Sequence, residues 1–402
     1  MKIAIIAHMK YPISQPYHGG LEMHTHILTE ELINRGHDVT LYALEDSDPR
    51  FTIYQPTLNG VTMDKGNDLF DSEPGYNREF VNLFHSYMEV MMHIQRGDYD
   101  IVHNNSLHFL PLSMAHTLPC PMVTALHTPP FPSLQSGAIL AKPYLGNQFV
   151  SVSAHLSEVW SDYVQHARVV HNGIRIADWT FSEQAQPKTA VWFGRFCPEK
   201  GPEYAIAAAR KAGYHLKMAG SVYDQGYFDE EIAPLLGDDV ELVGHLNHRQ
   251  LSDLIGNAEV GLFTSTWDEP FGLVLPEMLA CGTPIVAFDS GAAPEVITAR
   301  CGVIVNKYDT DAMAAAMPLA GTLSRLDCRQ RAVEHFPISS MIDGYERIYH
   351  RLRPGVRRQT TITTGRGIPA SGEGMSATEA VTRPLAAVAQ ARAATKQGSL
   401  TA

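Results

Sequence analysis

The chain has 402 residues, 45% of them hydrophobic and 18% charged, with a formal net charge of −12. This length suits two globular domains rather than one, and the acidic balance argues against nonspecific nucleic-acid binding. Five cysteines are scattered with no CxxC pair, which sets aside a disulfide framework and a zinc ribbon and fits a reducing cytoplasm.

The opening "MKIAIIAHMKYP" carries an apolar run too short for a signal peptide and reads as a first strand. Further strands are expected at "DVTLYA" from Asp38, "DIVH" from Asp100, "PMVTAL" from Pro121, "QFVSV" from Gln148 and "RVVH" from Arg168. Helical patterns lie between most of them. The clearest starts at Gly20, places Leu21, Leu28 and Leu32 on one face, and ends near Arg35–His37, where Gly36 suits a left-handed C-terminal position. After an aperiodic stretch the pattern repeats. Strands are expected at "TAVWFG" from Thr189, "YHLKMA" from Tyr214, "VELV" from Val240, "EVGLF" from Glu259, "PIVAF" from Pro284 and "GVIV" from Gly302.

Alternation of this kind implies an α/β protein with two doubly wound, Rossmann-like domains, whose ligands bind beyond the carboxyl ends of parallel strands. The expected boundaries are a first domain over 1–174, a linker over 175–187, a second domain over 188–337, a terminal helix over 338–352 and a disordered tail over 353–402. From Arg351 onward there are eight Lys/Arg and two Asp/Glu, so the tail region is basic while the remainder is acidic. No apolar run approaches the roughly 18 residues that span a bilayer, although peripheral contact with the inner membrane face is compatible with the sequence.

The segment "WDEPFGLVLPE" holds Glu269 and Glu277 with seven residues between them. Pro276 fits the first position of a short helix closed by Gly282. Glu277 then lies in the first helical turn and Glu269 on the preceding loop, both at the carboxyl end of "EVGLF". The pair could serve as acid and base, clamp vicinal diols, or be ordinary surface charge with a dipole-favoured Glu277. In "WFGRFCPEKGPEYAI", Arg195 follows a strand and Lys200 precedes a helix that opens on Pro202. Two cations beside a helix N-terminus suit a diphosphate; the plainer reading is two surface cations. Gly19 and Gly20 would let backbone N–H groups approach a phosphate, although no GxGxxG is present. His127 follows a strand directly, where it could bond a sugar hydroxyl or be structural. "HNNSLHF" from His103 lies past a strand and could line a pocket or be a well-bonded loop.

Across residues 1–350 the sequence resembles glycosyltransferase family 4, retaining nucleotide-sugar enzymes of the GT-B fold. The matching pieces are "HGGLEMHTHILTEELINRGHDVTLYA", "VHNGI", "FGRFCPEKGPEYAI" and "EPFGLVLPEMLACGTPIVAFDSGAAPEVI". In wording they lie nearest the branch that includes avilamycin-type transferases.

The resemblance implies two parallel sheets facing across a cleft, with the acceptor held by the first domain. It implies that Glu269 contacts the donor sugar and Glu277 the ribose. Phe271, Gly272 and Leu273 would give backbone contacts near the phosphates. Arg195 and Lys200 would neutralise the diphosphate, Gly19 and Gly20 would approach it from the other domain, and His127 would lie near the donor sugar. His127, Arg195, Lys200 and Glu269 form the expected catalytic set.

The reaction expected is hexosyl transfer from a nucleotide-diphosphate sugar, in glycan, glycolipid or secondary-metabolite biosynthesis. No cofactor and no catalytic metal are expected, since no DxD-type motif is placed for that task and the His24/His26 and His103/His108 spacings match no zinc motif. Other readings are a glycoside hydrolase, a GT-B nucleotide-sugar epimerase and a non-catalytic nucleotide-sugar binding protein. Two departures from the family stand out: Ala292–Ala293 where Gly-Gly is common, expected to narrow access near the donor, and Thr264 where proline is common, expected to be neutral. The segment 68–80 could close over the acceptor. Donor base, acceptor identity and oligomeric state are not set by the sequence.

Overall fold

The computed structural model describes residues 1–56, 78–142, 144 and 146–353. The disordered tail read over 353–402 and the acceptor-closing segment at 68–80 lie almost wholly outside the described residues.

Among the described residues, thirteen parallel strands form two sheets. The first contains β1 (Lys2–Ile6), β2 (Asp38–Tyr42), β3 (Thr52–Tyr54), β4 (Ile101–Asn104), β5 (Met122–Leu126), β6 (Asn147–Ser151) and β7 (Arg168–Val169), in the order β3-β2-β1-β4-β5-β6-β7. The second contains β8 (Gln186–Phe193), β9 (His215–Ala219), β10 (Val240–Gly244), β11 (Ala258–Phe263), β12 (Ile285–Phe288) and β13 (Gly302–Val305), in the order β10-β9-β8-β11-β12-β13. In each sheet the order reverses at its first strand, so β1/β4 and β8/β11 flank the crevices where ligands collect. All twelve strands expected from the sequence are present. The edge strand β3 is additional; three residues are too few to show a period.

The strands are apolar on both faces because helices cover both. Ile3 and Ile5 of β1 pack with one cluster, while Ala4 and Ile6 pack with another. Helix α1 (Gly20–Asn34) buries Leu28 and Leu32 as its pattern predicts, but its first two turns also bury His24, Thr25 and His26. It ends as expected: Gly36 has φ +82°, its N–H reaches Ile33 O at 2.9 Å, and the His37 N–H reaches Leu32 O at 3.1 Å.

Helix α2 (Ile338–Leu352) returns to the first sheet. It buries Met341, Ile342, Tyr345, Ile348 and Tyr349 at helical spacing against Ile3, Ile5, Ile101 and Val123. At roughly 1.5–3 kcal/mol for each buried side chain, this face contributes on the order of 10 kcal/mol of gross transfer energy. At its start, Ile338 N–H bonds Ile174 O at 2.9 Å, while Ile174 N–H bonds Phe336 O at 2.8 Å. The end of the first domain, just before the linker, is therefore stitched to the segment that returns.

The two halves also meet through Glu295. Its carboxylate accepts from the backbone N–H of Ala154 and His155 at 2.8 and 2.7 Å and from His171 Nε2 at 3.0 Å.

Candidate active site

The β8 carboxyl end runs into a loop shaped by glycine. Gly201 has φ +57°, and a Cβ there would stand 2.6 Å from Thr264 O. Only glycine fits that left-handed, crowded position. Beyond it Pro202 opens the helix Pro202–Ala212, so the positive end of that helix lies directly after Lys200. The Lys200 ammonium is ion-paired with Glu269 of the β11 loop. Ser265 Oγ donates to the same carboxylate oxygen at 2.9 Å. Lys200 and Glu269 thus form one assembly, a pairing that the sequence reading did not anticipate.

Thr264 has a role that the sequence reading missed. Its hydroxyl accepts from Trp192 Nε1 at 2.9 Å and donates to Lys200 O at 3.0 Å. A proline could make neither bond, so this departure from the family is structurally active rather than neutral.

Arg195 is not part of the Lys200–Glu269 ion pair. It is exposed, with its guanidinium over the Tyr223 ring at 4.7 Å from the centroid. That contact joins it to the β9 loop "GSVYDQ".

The short helix carrying Glu277 spans Val274–Ala280, two residues earlier than expected from Pro276. The first four N–H groups of a helix have no internal acceptor, so proline is tolerated at its third position. Gly272 is left-handed at φ +78° and turns the chain into the helix. Among the described residues no acceptor pairs with the N–H of Gly272 or Leu273. Phe271 is buried against His171 and Phe336.

Glu277 is 8% exposed, and no hydrogen-bond partner is assigned to its carboxylate among the described residues. Burial pushes its carboxyl up to about 8. A largely buried carboxyl group that no protein group meets is free to accept hydroxyl groups from a ligand.

Gly291 supports Glu269 from behind. It has φ +54°, and a Cβ there would fall 2.2 Å from Glu269 O. Ala292 N–H then bonds Glu269 O at 3.0 Å. Both Ala292 and Ala293 have no exposed surface. Their methyl groups fill the core rather than narrowing an open donor face, contrary to the sequence expectation.

From the first half, Gly19 precedes α1 in extended backbone, and a Cβ on Gly20 would lie 3.6 Å from Leu273 Cδ1. The glycine turn therefore faces the loop that carries Glu269. One turn into α1, the His24 ring stands 4.6 Å from His127, edge to face. His127 Nε2 bonds Asn105 Oδ1 at 3.0 Å, and burial depresses the imidazole to about 3, so it is neutral at ordinary pH.

"HNNSLHF" is a bonded framework: His103, Asn104, Asn105 and Ser106 are buried, and His108 Nδ1 accepts the Leu110 N–H at 3.2 Å. His103 faces α2 rather than an open pocket, since its Nδ1 meets the Tyr349 hydroxyl at 2.7 Å. His26 is engaged by Asp48 and Tyr17. Among the described residues no group of three or more His, Cys, Asp or Glu is arranged to hold a metal ion.

A second-sheet crevice with cations, unpaired amides and carboxylates, met by the glycine turn of the first half, on paired Rossmann-like sheets, is the arrangement of the GT-B class of sugar transferases. A family model described as glycosyltransferase family 4 matches residues 18–178, and one described as glycosyl transferases group 1 matches residues 176–332. The chain belongs to this family of glycosyltransferases.

It is 28% identical to an uncharacterized glycosyltransferase of Methanocaldococcus jannaschii, over 78% of this chain and 87% of that one. It is 24% identical to an MMP α-(1→4)-mannosyltransferase of Mycolicibacterium hassiacum, over 87% of this chain and 98% of that one. Among solved structures, AviGT4 of avilamycin A biosynthesis superposes with a TM-score of 0.64 at 21% identity, over 87% of this chain and 97% of that one. Anabaena HepE in complex with UDP superposes with a TM-score of 0.66 at 17% identity, over 88% of this chain and 100% of that one. These likenesses establish the GT-B fold.

Proposed function

We propose that this glycosyltransferase moves a hexose from a nucleotide-diphosphate donor with retention of anomeric configuration and without a catalytic metal. The observation that carries the reading is Glu277, a largely buried carboxyl group that no protein group meets, on the short helix entered through Gly272 and Leu273, whose N–H groups pair with no acceptor among the described residues. In this reading Glu277 holds the ribose diol. The Gly272 and Leu273 N–H groups and the Phe271 backbone meet the diphosphate, with Gly19 and Gly20 approaching from the first domain. Arg195 and Lys200 neutralise it, and Glu269 and His127 contact the sugar. HepE has been solved with UDP-glucose, which supports a nucleotide-sugar donor for the shared fold.

The bond from the anomeric carbon to the diphosphate oxygen breaks as the acceptor oxygen attacks on the same face. The acceptor proton passes to the departing phosphate oxygen. Negative charge develops on the leaving group, where Arg195, Lys200 and the helix amides stabilise it. Cationic side chains and helix amides together supply the countercharge that a divalent cation supplies elsewhere, which supports metal independence. No helix among the described residues is long and apolar enough to cross a membrane. We place the enzyme in the cytoplasm, with peripheral contact at the inner membrane face compatible with its sequence.

The test is nucleotide release from a panel of UDP-, GDP-, ADP- and dTDP-sugars, with and without EDTA. Glu277→Ala and Arg195→Ala are run beside the parent. Release of one nucleotide, resistant to EDTA and lost in both variants, supports the reading. Release that EDTA abolishes overturns metal independence; absence of donor binding across the panel overturns the donor assignment.

A further inference from the structure

Three histidines and one asparagine meet beneath the first sheet's carboxyl edge. Asn105 follows β4 and is fully buried. Its Oδ1 lies 3.0 Å from His127 Nε2 and 3.0 Å from His103 Nε2. Its Nδ2 lies 3.2 Å from Thr25 Oγ1 and 3.5 Å from His24 Nδ1. On its far side, His103 Nδ1 meets Tyr349 Oη of α2 at 2.7 Å. One amide therefore fixes the protons of several rings.

The polarity of this chain follows from its outer end. A neutral phenol is the better donor and a neutral imidazole nitrogen the better acceptor, so Tyr349 donates to His103 Nδ1. Burial holds the Tyr349 phenol well above its ordinary range, and it stays protonated. His103 must then carry its proton on Nε2 and donate it to Asn105 Oδ1. The amide oxygen faces both imidazoles, so His127 also carries its proton on Nε2. Its other nitrogen, Nδ1, is left as a bare acceptor with no partner among the described residues.

We propose that Asn105 is a positioning residue that locks His127 as the Nε2–H tautomer, so that Nδ1 accepts a hydrogen bond from a donor-sugar hydroxyl, with the polarity set by Tyr349 through His103. The sugar contact rests on the function proposed above; the tautomer lock does not. The titratable groups facing His127 are His24 from α1 and His103 from β4. Burial depresses both of them, His103 to about 4, so neither charges near neutral pH. Tyr345 packs edge-on against His24 and His103 and adds no charge. The terminal helix thus reads directly onto a residue at the donor crevice, through hydrogen bonds rather than through packing alone.

The test is long-range proton–nitrogen NMR of the imidazoles in the full chain, with His127→Gln used to identify the His127 signals. The expected result is one neutral Nε2–H form of His127, unprotonated from about pH 8.5 down to about pH 5.5, a window in which an unperturbed histidine titrates. A neutral Nδ1–H form, or protonation within that window, overturns the proposal.

Asn105→Asp keeps the shape but supplies a carboxylate, which favours the doubly protonated ring. His127 should then protonate within the window, and transfer should fall by about tenfold per pH unit below its new pKa, a loss toward acid pH that the parent does not show. Tyr349→Phe serves where Asn105→Asp does not fold. It removes the phenol donor at constant ring shape, and His127 should populate both neutral tautomers. An unchanged His127 spectrum in Tyr349→Phe overturns the part assigned to the helix. Should His127→Gln transfer sugar at the parental rate, the sugar contact falls, and the NMR result alone decides the lock.

Discussion

Lys200 and Glu269 are 69 positions apart and ion-paired beyond the ends of β8 and β11, with Ser265 bonded to the same carboxylate. The Glu269 side chain is 8% exposed and that of Lys200 26%, so the pair is only partly screened by water. A diphosphate arriving at the helix Pro202–Ala212 competes with Glu269 for the ammonium. The free protein therefore stores the cation where the leaving group needs it.

Lys200→Met should lower nucleotide release by about 10²–10³-fold, the scale for losing one donor to a developing anion. It should also destabilise the fold by about 1.5–3 kcal/mol, because Glu269 loses a charged hydrogen-bond partner. Lys200→Met combined with Glu269→Gln should cost less than the sum of the single changes, since the residues are in contact. Urea unfolding of all four proteins checks this; additive losses would show that the pair is not coupled.

Thr264→Val removes the hydroxyl that joins Trp192 to the Lys200 carbonyl while keeping the side-chain shape. Both backbone and indole groups are left without a partner, at about 1–3 kcal/mol. Thr264→Ser should retain most of the stability. Thermal unfolding of the two variants distinguishes a hydroxyl requirement from a packing requirement, and equal melting points would discard the hydroxyl role.

Gly291→Ala should be severe. The left-handed backbone disfavours a side chain, and the added methyl meets the Asp268–Glu269 main chain at 2.2–2.8 Å. Gly36→Ala supplies the control, because Gly36 is also left-handed but has nothing within 4 Å. The control should lose about 1 kcal/mol and keep its activity. Gly291→Ala should lose activity as well, measured as nucleotide release at a temperature where both proteins remain folded.

Glu277 predicts a pH dependence of stability. Burial raises its pKa from 4.5 to about 8. Between those values the folded protein holds a proton that the unfolded chain has released. Stability linked to this group is complete below the unfolded value and declines as pH rises toward the folded one, by at most about 1.4 kcal/mol per pH unit. Glu277→Gln removes the linkage. Melting temperatures of parent and variant, compared from acid to mildly alkaline pH, should diverge in the variant's favour as pH rises. Parallel curves would mean that Glu277 is ionised in the folded protein.

Glu295→Ala should loosen the junction between the halves. It removes the acceptor for two backbone N–H groups at the start of the helix Ala154–Val159 and the partner of His171. Loss of a helix-terminus acceptor costs about 0.5–2 kcal/mol. Hydrogen exchange at Ala154 and His155 should quicken ahead of the sheet amides. Unchanged protection there would show that the carboxylate does not hold the junction in solution.

What the sequence determined by itself was local. Runs such as "KIAIIA" and "EVGLF" have the length and composition of buried strands, and their alternation with helices dictates parallel sheets. Gly36 marks a helix end because only a left-handed residue closes it well. The expected ligand groups fall just past strand ends for the same reason, and Lys200, Glu269, Glu277, Gly20 and His127 all lie there.

Only the tertiary structure decided which of these groups are partners. Sheet order brings β8 beside β11, and that adjacency makes Lys200 and Glu269 a pair and gives Thr264 its two bonds. Two alanines that look obstructive in one dimension are core methyls in three. His103, Asn105 and Tyr349 become one network only because α2 returns across the first sheet. Periodicity is a property of neighbours along the chain, whereas hydrogen bonds between residues separated by 69 or 246 positions depend on how the sheets are wound.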